Sequence, residues 1–187
     1  MGRREGWIIL LFVVLAFVQL TYIALALMEL HSSRPAFAQD DEINRQTLNG
    51  VRGVHVVIEC LKPEIRGDEL AEDWLRADTE LRLRRAGIKV LSARENQMTP
   101  GRPSMYVSVS IVKYRYLPAY VYTCTVEFLQ DVYLVRAFKI RTGAVTWSVN
   151  TTGIAPKLED IRNSTGELVD YFIAAYSSAN RKREGHG

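Results

Sequence analysis

Apolar and polar residues alternate cleanly over Met105–Lys113, and this period of two is typical of a half-buried β-strand. Strands are also predicted before and after this segment. The five predicted strands are Val54–Leu61, Ile88–Leu91, Met105–Lys113, Tyr120–Val135 and Ala144–Thr152. The first of them is fairly apolar on both faces, which favours a central position in a sheet. Hairpins are expected within Tyr114–Pro118 and Ala137–Gly143.

Two other segments carry apolar residues at helical spacing. Asp68–Gly87 begins with acidic residues and ends with arginines, which suits the helix dipole, and its glycine can end the helix. Its predicted core stripe is Leu70, Trp74, Ala77 and Leu81, widened by Ala71 and Leu75. The second helix is predicted over Leu158–Asn180 and contains Gly166, which costs about 1 kcal/mol relative to alanine.

The order of these elements is β-α-β-β-β-β-α, which predicts an α+β fold. We expect a two-layer sandwich in which two helices cover a mainly antiparallel sheet of four to five strands. Residues 51–180 form the single domain, after a polar, extended lead-in at 39–50 and before a polar tail at 181–187. Ser92–Ser104 is rich in proline and glycine and predicts a surface loop.

The N-terminal residues 1–38 contain the longest apolar stretch, Trp7–Met28, which follows Arg3 and Arg4. This stretch predicts contact with a membrane, at least during export, as a cleaved signal peptide or a retained anchor. Small residues at the −1 and −3 positions place the cleavage site between Ala38 and Gln39. Cleavage makes the domain periplasmic, and a retained anchor holds it outside the cytoplasmic membrane.

Composition argues against a nucleic-acid partner. The chain has 24 Lys and Arg residues against 21 Asp and Glu, and part of the excess lies in the tail at 181–183. The domain therefore lacks the basic face that such binding requires. Both cysteines, Cys60 and Cys124, follow the apolar stretch, where oxidation is permitted. Either the two cysteines form a disulfide, or they remain two buried thiols that do not meet.

No catalytic or cofactor motif is present in the sequence, so no cofactor and no metal site is expected. The sole histidine within the domain, His55, shares a strand face with Glu59, four residues further along the predicted strand. Two such groups do not complete a metal site, and no partner nucleophile is apparent. An enzyme with an unrecognised site near His55 and Glu59 is retained as an alternative.

The strongest indication of binding is a cluster of tyrosines and cations on the first predicted hairpin. The candidate binding residues are Lys113, Tyr114, Arg115, Tyr116 and Tyr120. Tyrosines interleaved with cations can stack on a sugar ring or on a partner's side chain. A plain solvated hairpin has the same composition, because tyrosine is a favoured strand residue.

The exported part resembles a family of uncharacterised exported bacterial proteins. Four segments and Asn180 carry the resemblance: residues 54–59 (VHVVIE), 80–88 (ELRLRRAGI), 146–148 (TWS) and 168–173 (LVDYFI). It implies a small α+β envelope domain and supplies no catalytic residue. The order of elements is also similar to that of the N-terminal domain of the Tol system's propeller protein, which serves in contacts. We therefore expect a non-catalytic module that binds protein or cell wall, with a membrane-tethered structural protein as a further alternative.

Overall fold

A computed structural model describes residues 40–59, 72–113 and 118–181. The predicted α+β class is confirmed within these ranges. The four helices described are α1 (Glu42–Gln46), α2 (Glu72–Arg85), α3 (Ala93–Met98) and α4 (Leu158–Asn180). The four strands described are β1 (His55–Ile58), β2 (Ser104–Lys113), β3 (Tyr120–Leu134) and β4 (Ala137–Ala155). The predicted N-terminal signal or anchor helix lies outside the described residues.

The four described strands form one mixed sheet in the order β1-β2-β3-β4. β1 runs parallel to β2, and the other neighbours are antiparallel. The predicted strand Ile88–Leu91 forms only an isolated bridge, between Val54 and Val90. Among the described residues β1 is therefore the outermost strand of the sheet, and the predicted central position is wrong: beyond it lies only this short segment. The packing of α2 on β1 accounts for the apolar residues on the covered face.

One face of the sheet packs against α2 and α4, and we call it the covered face. The predicted inward residues of β1, β2 and the first part of β3 are confirmed there. They are Val54, Val56, Ile58, Met105, Val107, Val109, Ile111, Tyr122, Cys124, Val126 and Phe128, each at most 6% exposed. Trp147 and Val149 of β4 are buried as predicted, whereas Val145 is 37% exposed. A bulge opposite Phe128 and Leu129 adds one residue to β4 and turns Val145 to the other face.

α4 has the predicted bounds, but the predicted core stripe of α2 is only partly correct. The buried residues of α2 are Leu75, Thr79 and Leu83. Leu75 belongs to the predicted stripe, whereas Ala77 and Leu81 are exposed. Trp74 is partly buried against the core and also contacts α4. The Trp74 ring lies 3.3 Å from the guanidinium carbon of Arg162.

Two segments predicted to be irregular contain short helices. The lead-in includes α1, whose first turn is capped by Asp41, and the lead-in also buries Leu48 completely. The predicted loop Ser92–Ser104 includes α3, which starts with a reciprocal capping box between Ser92 and Glu95. Hydrogen bonds from Lys89 and Ser92 lower the pKa of Glu95 to about 2. Helices of five and six residues are too short to give a periodic pattern, which explains the errors.

Candidate functional site

Within the described ranges, α2 and α4 do not pack on the opposite face of the sheet, and we call it the uncovered face. The short helix α3 meets its edge, where the Asn96 amide donates to the Ser104 hydroxyl. The central positions of this face on β2, β3 and β4 are polar. They are Ser108, Ser110, Thr123, Thr125, Glu127, Ser148, Asn150 and Thr152. The Thr123 and Thr152 hydroxyl oxygens lie 2.9 Å apart and form a cross-strand hydrogen bond. This central surface is typical of a sheet face in contact with water.

One end of the uncovered face is apolar. Val112 pairs with Val121 across β2 and β3, and Val121 pairs with Ile154 across β3 and β4. Their side chains are 52%, 37% and 60% exposed respectively. We call these three residues the apolar row. Three branched apolar side chains in register on three adjacent strands form a continuous patch, unlike isolated surface residues.

The apolar row directly adjoins the predicted binding hairpin. Lys113 and Tyr120 are the next pair in the ladder, and the Lys113 ammonium lies 5.7 Å from the centre of the Tyr120 ring. Lys113 is exposed, whereas Tyr120 packs partly against the core. Tyr114, Arg115 and Tyr116 lie outside the described residues. The structure therefore places two of the five candidate binding residues next to the row along the strands, with side chains in phase with the covered face.

The two residues of the enzyme alternative have ordinary structural surroundings. His55 Nδ1 lies 3.0 Å from the carbonyl oxygen of Leu91. Because a carbonyl only accepts, Nδ1 carries the proton, and the bond fixes the ring. Glu59 is exposed, and its backbone N–H donates to the Val107 carbonyl. In the described part of the chain, no group of three or more His, Cys, Asp or Glu residues is placed to hold a metal ion.

Cys124 is fully buried beneath α4. Its sulfur lies 3.2 Å from the Thr165 hydroxyl, and burial raises the pKa of the thiol to about 11, although this hydrogen bond opposes the rise. A thiol with that pKa stays protonated at neutral pH and is a weak nucleophile. Cys60 lies outside the described residues, so the predicted disulfide stays a prediction.

The predicted cleavage site at Ala38 and Gln39 also lies outside the described residues, as does the apolar stretch at residues 7–28. The first described residue, Asp40, is already part of the folded domain, since its carboxylate accepts hydrogen bonds from Trp147 and Arg45. Among the helices of the described ranges, none is long and apolar enough to cross a membrane.

A cleft of about 370 Å³ lies between the lead-in and the loop before β2. Its lining includes Thr47, Gly50, Arg52, Thr99 and Pro103, and Arg52 is its one charged residue. A single cation among small polar groups can orient a ligand but supplies no nucleophile or general base.

Sequence reasoning missed the apolar row, although each strand gave a signal. Val112, Val121 and Ile154 each stand next to an inward-facing residue and so interrupt the alternation. What the sequence lacked was the register between strands, which alone shows that the three positions are adjacent.

Comparison with known proteins gives only distant structural similarity. No protein-family model matches the chain, and no curated protein does so either. The PelC dodecamer from Paraburkholderia phytofirmans shares 16% sequence identity, with a TM-score of 0.43 over 70% of this chain and 89% of that chain. A variant of that dodecamer in another crystal form shares 18% identity, with a TM-score of 0.42 over 68% and 90% of the two chains.

Proposed function

We propose that this protein is an exported, non-catalytic module that binds a protein or cell-wall component of the cell envelope. The binding surface is the apolar row together with the adjoining hairpin from Lys113 to Tyr120. The observation that carries the proposal is the exposure of Val112, Val121 and Ile154 in one register row on the uncovered face.

The apolar row has the properties of the centre of a contact surface. Its three side chains extend from paired strands, so the backbone beneath them is already ordered before a partner binds. A preformed surface loses little conformational entropy on association, and its apolar atoms gain free energy when water is excluded. The polar residues further along the same face supply the hydrated rim that surrounds such centres.

The hairpin adds groups suited to recognition. Lys113 is exposed and directly follows the row along β2, and Tyr114, Arg115 and Tyr116 follow it in the sequence. Aromatic residues and arginine contribute most to binding at protein interfaces, and aromatic rings also stack on sugars. The branched side chains of the row favour a protein partner, whereas the hairpin alone would also suit a cell-wall glycan.

The proposal that the protein is exported rests on the sequence of residues 1–38. The apolar stretch Trp7–Met28 and the cleavage motif ending at Ala38 support it. A soluble periplasmic form results from cleavage, and a membrane-tethered form results from retention. The binding surface is the same in both forms.

The test is affinity capture of the full chain, tagged at its C-terminus, from crosslinked native envelopes. The informative variant is Val121→Thr combined with Ile154→Thr, which keeps the branch at Cβ and removes apolar area. Ile43→Thr is the control, because Ile43 is a branched apolar residue that is 76% exposed on α1, away from both candidate surfaces. We expect the double variant to lose at least about tenfold in captured partner, while the control keeps the wild-type yield.

Equal capture by the double variant and the wild type would remove the apolar row from the proposal. Replacement of Lys113, Tyr114, Arg115 and Tyr116 by serine tests the hairpin separately, with the melting temperature as a check on folding. Mass spectrometry of the captured chain also reads its N-terminus. A terminus at Gln39 supports cleavage, and an intact Trp7–Met28 segment supports a tether.

A further inference from the structure

A two-stranded ribbon extends beyond the end of the sheet opposite to the apolar row. The pairing of β2 with β3 ends at Leu129, whereas β3 and β4 continue as a pair to a tight turn at Val135 and Arg136. We call residues 130–144 the ribbon. The register is irregular near its tip, where Phe138, Lys139 and Ile140 have no ladder partners on β3.

The tip of the ribbon exposes large apolar side chains. Tyr133 is 59% exposed, Val135 82%, Phe138 71% and Ile140 50%. These residues belong to both strands and to the turn between them. The apolar surface therefore surrounds the tip, a distribution that suits insertion end-on and differs from a flat contact on one face.

Cations alternate with these apolar residues. Arg136, Lys139 and Arg141 lie at the tip, and the sequence has no acidic residue between Asp131 and Glu159. Arg141 lies 3.7 Å from the Asp131 carboxylate at the base of the ribbon. In the described part of the chain, no ion pair involves Arg136 or Lys139, so the outermost tip is positively charged.

The base of the ribbon is firmly held, which keeps the tip projecting. Arg102 forms two hydrogen bonds of 2.7 and 2.8 Å with the Asp131 carboxylate. The Asp131 N–H donates to the carbonyl of Gly101 at 2.7 Å. On the other face, the Gln130 amide donates to the Thr146 hydroxyl and to the Thr47 carbonyl.

We propose that the tip of the ribbon inserts into the headgroup layer of an anionic lipid bilayer. Exposed apolar side chains gain free energy in the acyl boundary of a membrane, and neighbouring Arg and Lys side chains reach the phosphates from there. The unpaired charges of Arg136 and Lys139 complement the negative surface potential of anionic lipids. This charge complementarity favours lipid over a neutral apolar groove on a protein.

The chain enters the described domain beside the same end of the sheet. Asp40 accepts a 2.7 Å hydrogen bond from the Trp147 indole, and the Asn44 amide donates to the Thr146 carbonyl at the base of the ribbon. This inference is independent of the apolar row.

The test places a photoreactive benzoylphenylalanine at position 138 of the full chain, reconstituted in vesicles of phosphatidylglycerol and phosphatidylcholine. The matched control carries the same residue at Tyr171, an aromatic side chain that is 45% exposed on α4. After illumination, intact-mass spectrometry counts chains that have gained one phospholipid. We expect at least fivefold more lipid adduct at position 138 than at position 171.

The same experiment also measures how the lipid adduct depends on charge. Arg136→Glu with Lys139→Glu should lower the adduct at position 138 at least fivefold, because each cation near an anionic surface contributes about a fivefold factor. An unchanged melting temperature shows that the double variant folds. Raising the salt concentration from about 50 mM to about 500 mM should have the same effect without any substitution.

Two results would overturn the proposal. Equal lipid adducts at positions 138 and 171, insensitive to charge and salt, would mean that the anchored domain meets lipid at random. An adduct at position 138 with the mass of a second copy, or with another protein when envelope extract is present, would assign the tip to a protein contact.

Discussion

The two faces of β3 share one backbone but differ in the polarity and exposure of their side chains. On the covered face, Tyr122, Cys124, Val126 and Phe128 are at most 5% exposed. On the uncovered face, threonine and glutamate occupy the positions between them, and Val121 is 37% exposed. Since a single strand presents both faces, its β-propensity cannot explain the difference. The position of α2 and α4 explains it, because only the covered face is removed from water.

Two regions outside the covered face differ from an ordinary solvated surface. Apolar side chains are exposed in the apolar row at one end and on the ribbon at the other end. Neither group stabilises the folded domain by burial, so stability does not explain its apolar character. We propose that contact with another molecule explains it, and the two groups differ in charge. The described cation that follows the row along β2 is Lys113, in phase with the covered face, whereas three cations lie among the apolar residues of the ribbon tip.

The largest expected effect on stability comes from the covered face. Phe172 of α4 is fully buried, and its ring centre lies 5.3 Å from that of Trp147 and 5.7 Å from that of Phe128. Phe172→Ala should lower the free energy of unfolding by about 3–5 kcal/mol, because it leaves a cavity among these rings. Urea denaturation measures the loss. Tyr171→Ala, at the exposed neighbouring position, should stay within about 0.5 kcal/mol, and a similar loss in both variants would contradict the assignment of faces.

The second largest expected effect on stability comes from the lead-in, through Asp40. The Trp147 side chain is fully buried, and its indole N–H donates to Asp40. Asp40→Ala should lower the free energy of unfolding by about 1–3 kcal/mol, because the indole donor loses its partner. Asp40→Asn keeps an acceptor and should cost less. Equal losses in the two variants would mean that the hydrogen bond to Trp147 is not the cause.

The Asp40 carboxylate should also make the free energy of unfolding depend on pH. Burial alone would raise the pKa of Asp40, but hydrogen bonds from Arg45 and Trp147 outweigh burial and lower the pKa. A lowered pKa in the folded state contributes stability above the unfolded value of about 3.9, and this contribution is lost as pH falls through the folded pKa. The stability difference between wild type and Asp40→Asn should therefore shrink below about pH 4. A constant difference down to pH 2 would contradict this origin.

A smaller effect on stability is expected from the contact between the two long helices, α2 and α4. A Cβ atom at Gly166 of α4 would lie 2.6 Å from the Arg82 guanidinium, which forms ion pairs with Asp78 and Asp170. Gly166→Ala should therefore destabilise the wild type by about 0.5–1 kcal/mol, since Arg82 must leave these partners. In an Arg82→Ala background, it should stabilise by up to about 1 kcal/mol through helix propensity. The double-mutant cycle measures the coupling, and equal effects in both backgrounds would show none.

These contacts show why sequence predicted α4 better than α2. The stripe of α4 runs from Ile161 to Ala175 at helical spacing, and Gly166 is its only weak position. α2 has apolar residues on several sides, so periodicity did not decide which side is buried. The packing of Arg82 against Gly166 joins residues 84 positions apart, which the periodicity of one helix does not reveal. Gly166, which weakens the helix by itself, is therefore explained by a tertiary contact.

The candidate surfaces were predictable only in part. The sequence indicated Lys113 and Tyr120 through composition, and the structure makes them the ladder pair that follows the apolar row, in phase with the covered face. The row and the ribbon depend on strand register and on the covering of one face, and these are tertiary properties. The turn at Val135 and Arg136 precedes the predicted segment Ala137–Gly143, because alternation did not predict that β4 continues through the glycine.

The smallest expected effect uses one substitution on both faces of β3. Val121→Thr adds a hydroxyl where water already reaches the side chain, so the free energy of unfolding should change by less than about 0.5 kcal/mol. Val126 is fully buried on the same strand, and Val126→Thr should cost about 1–3 kcal/mol because its hydroxyl loses hydration. Urea denaturation of the two variants makes the comparison. A loss above 1 kcal/mol for Val121→Thr would mean that Val121 is packed within the chain, and the apolar row would then be part of the core and unable to meet a partner.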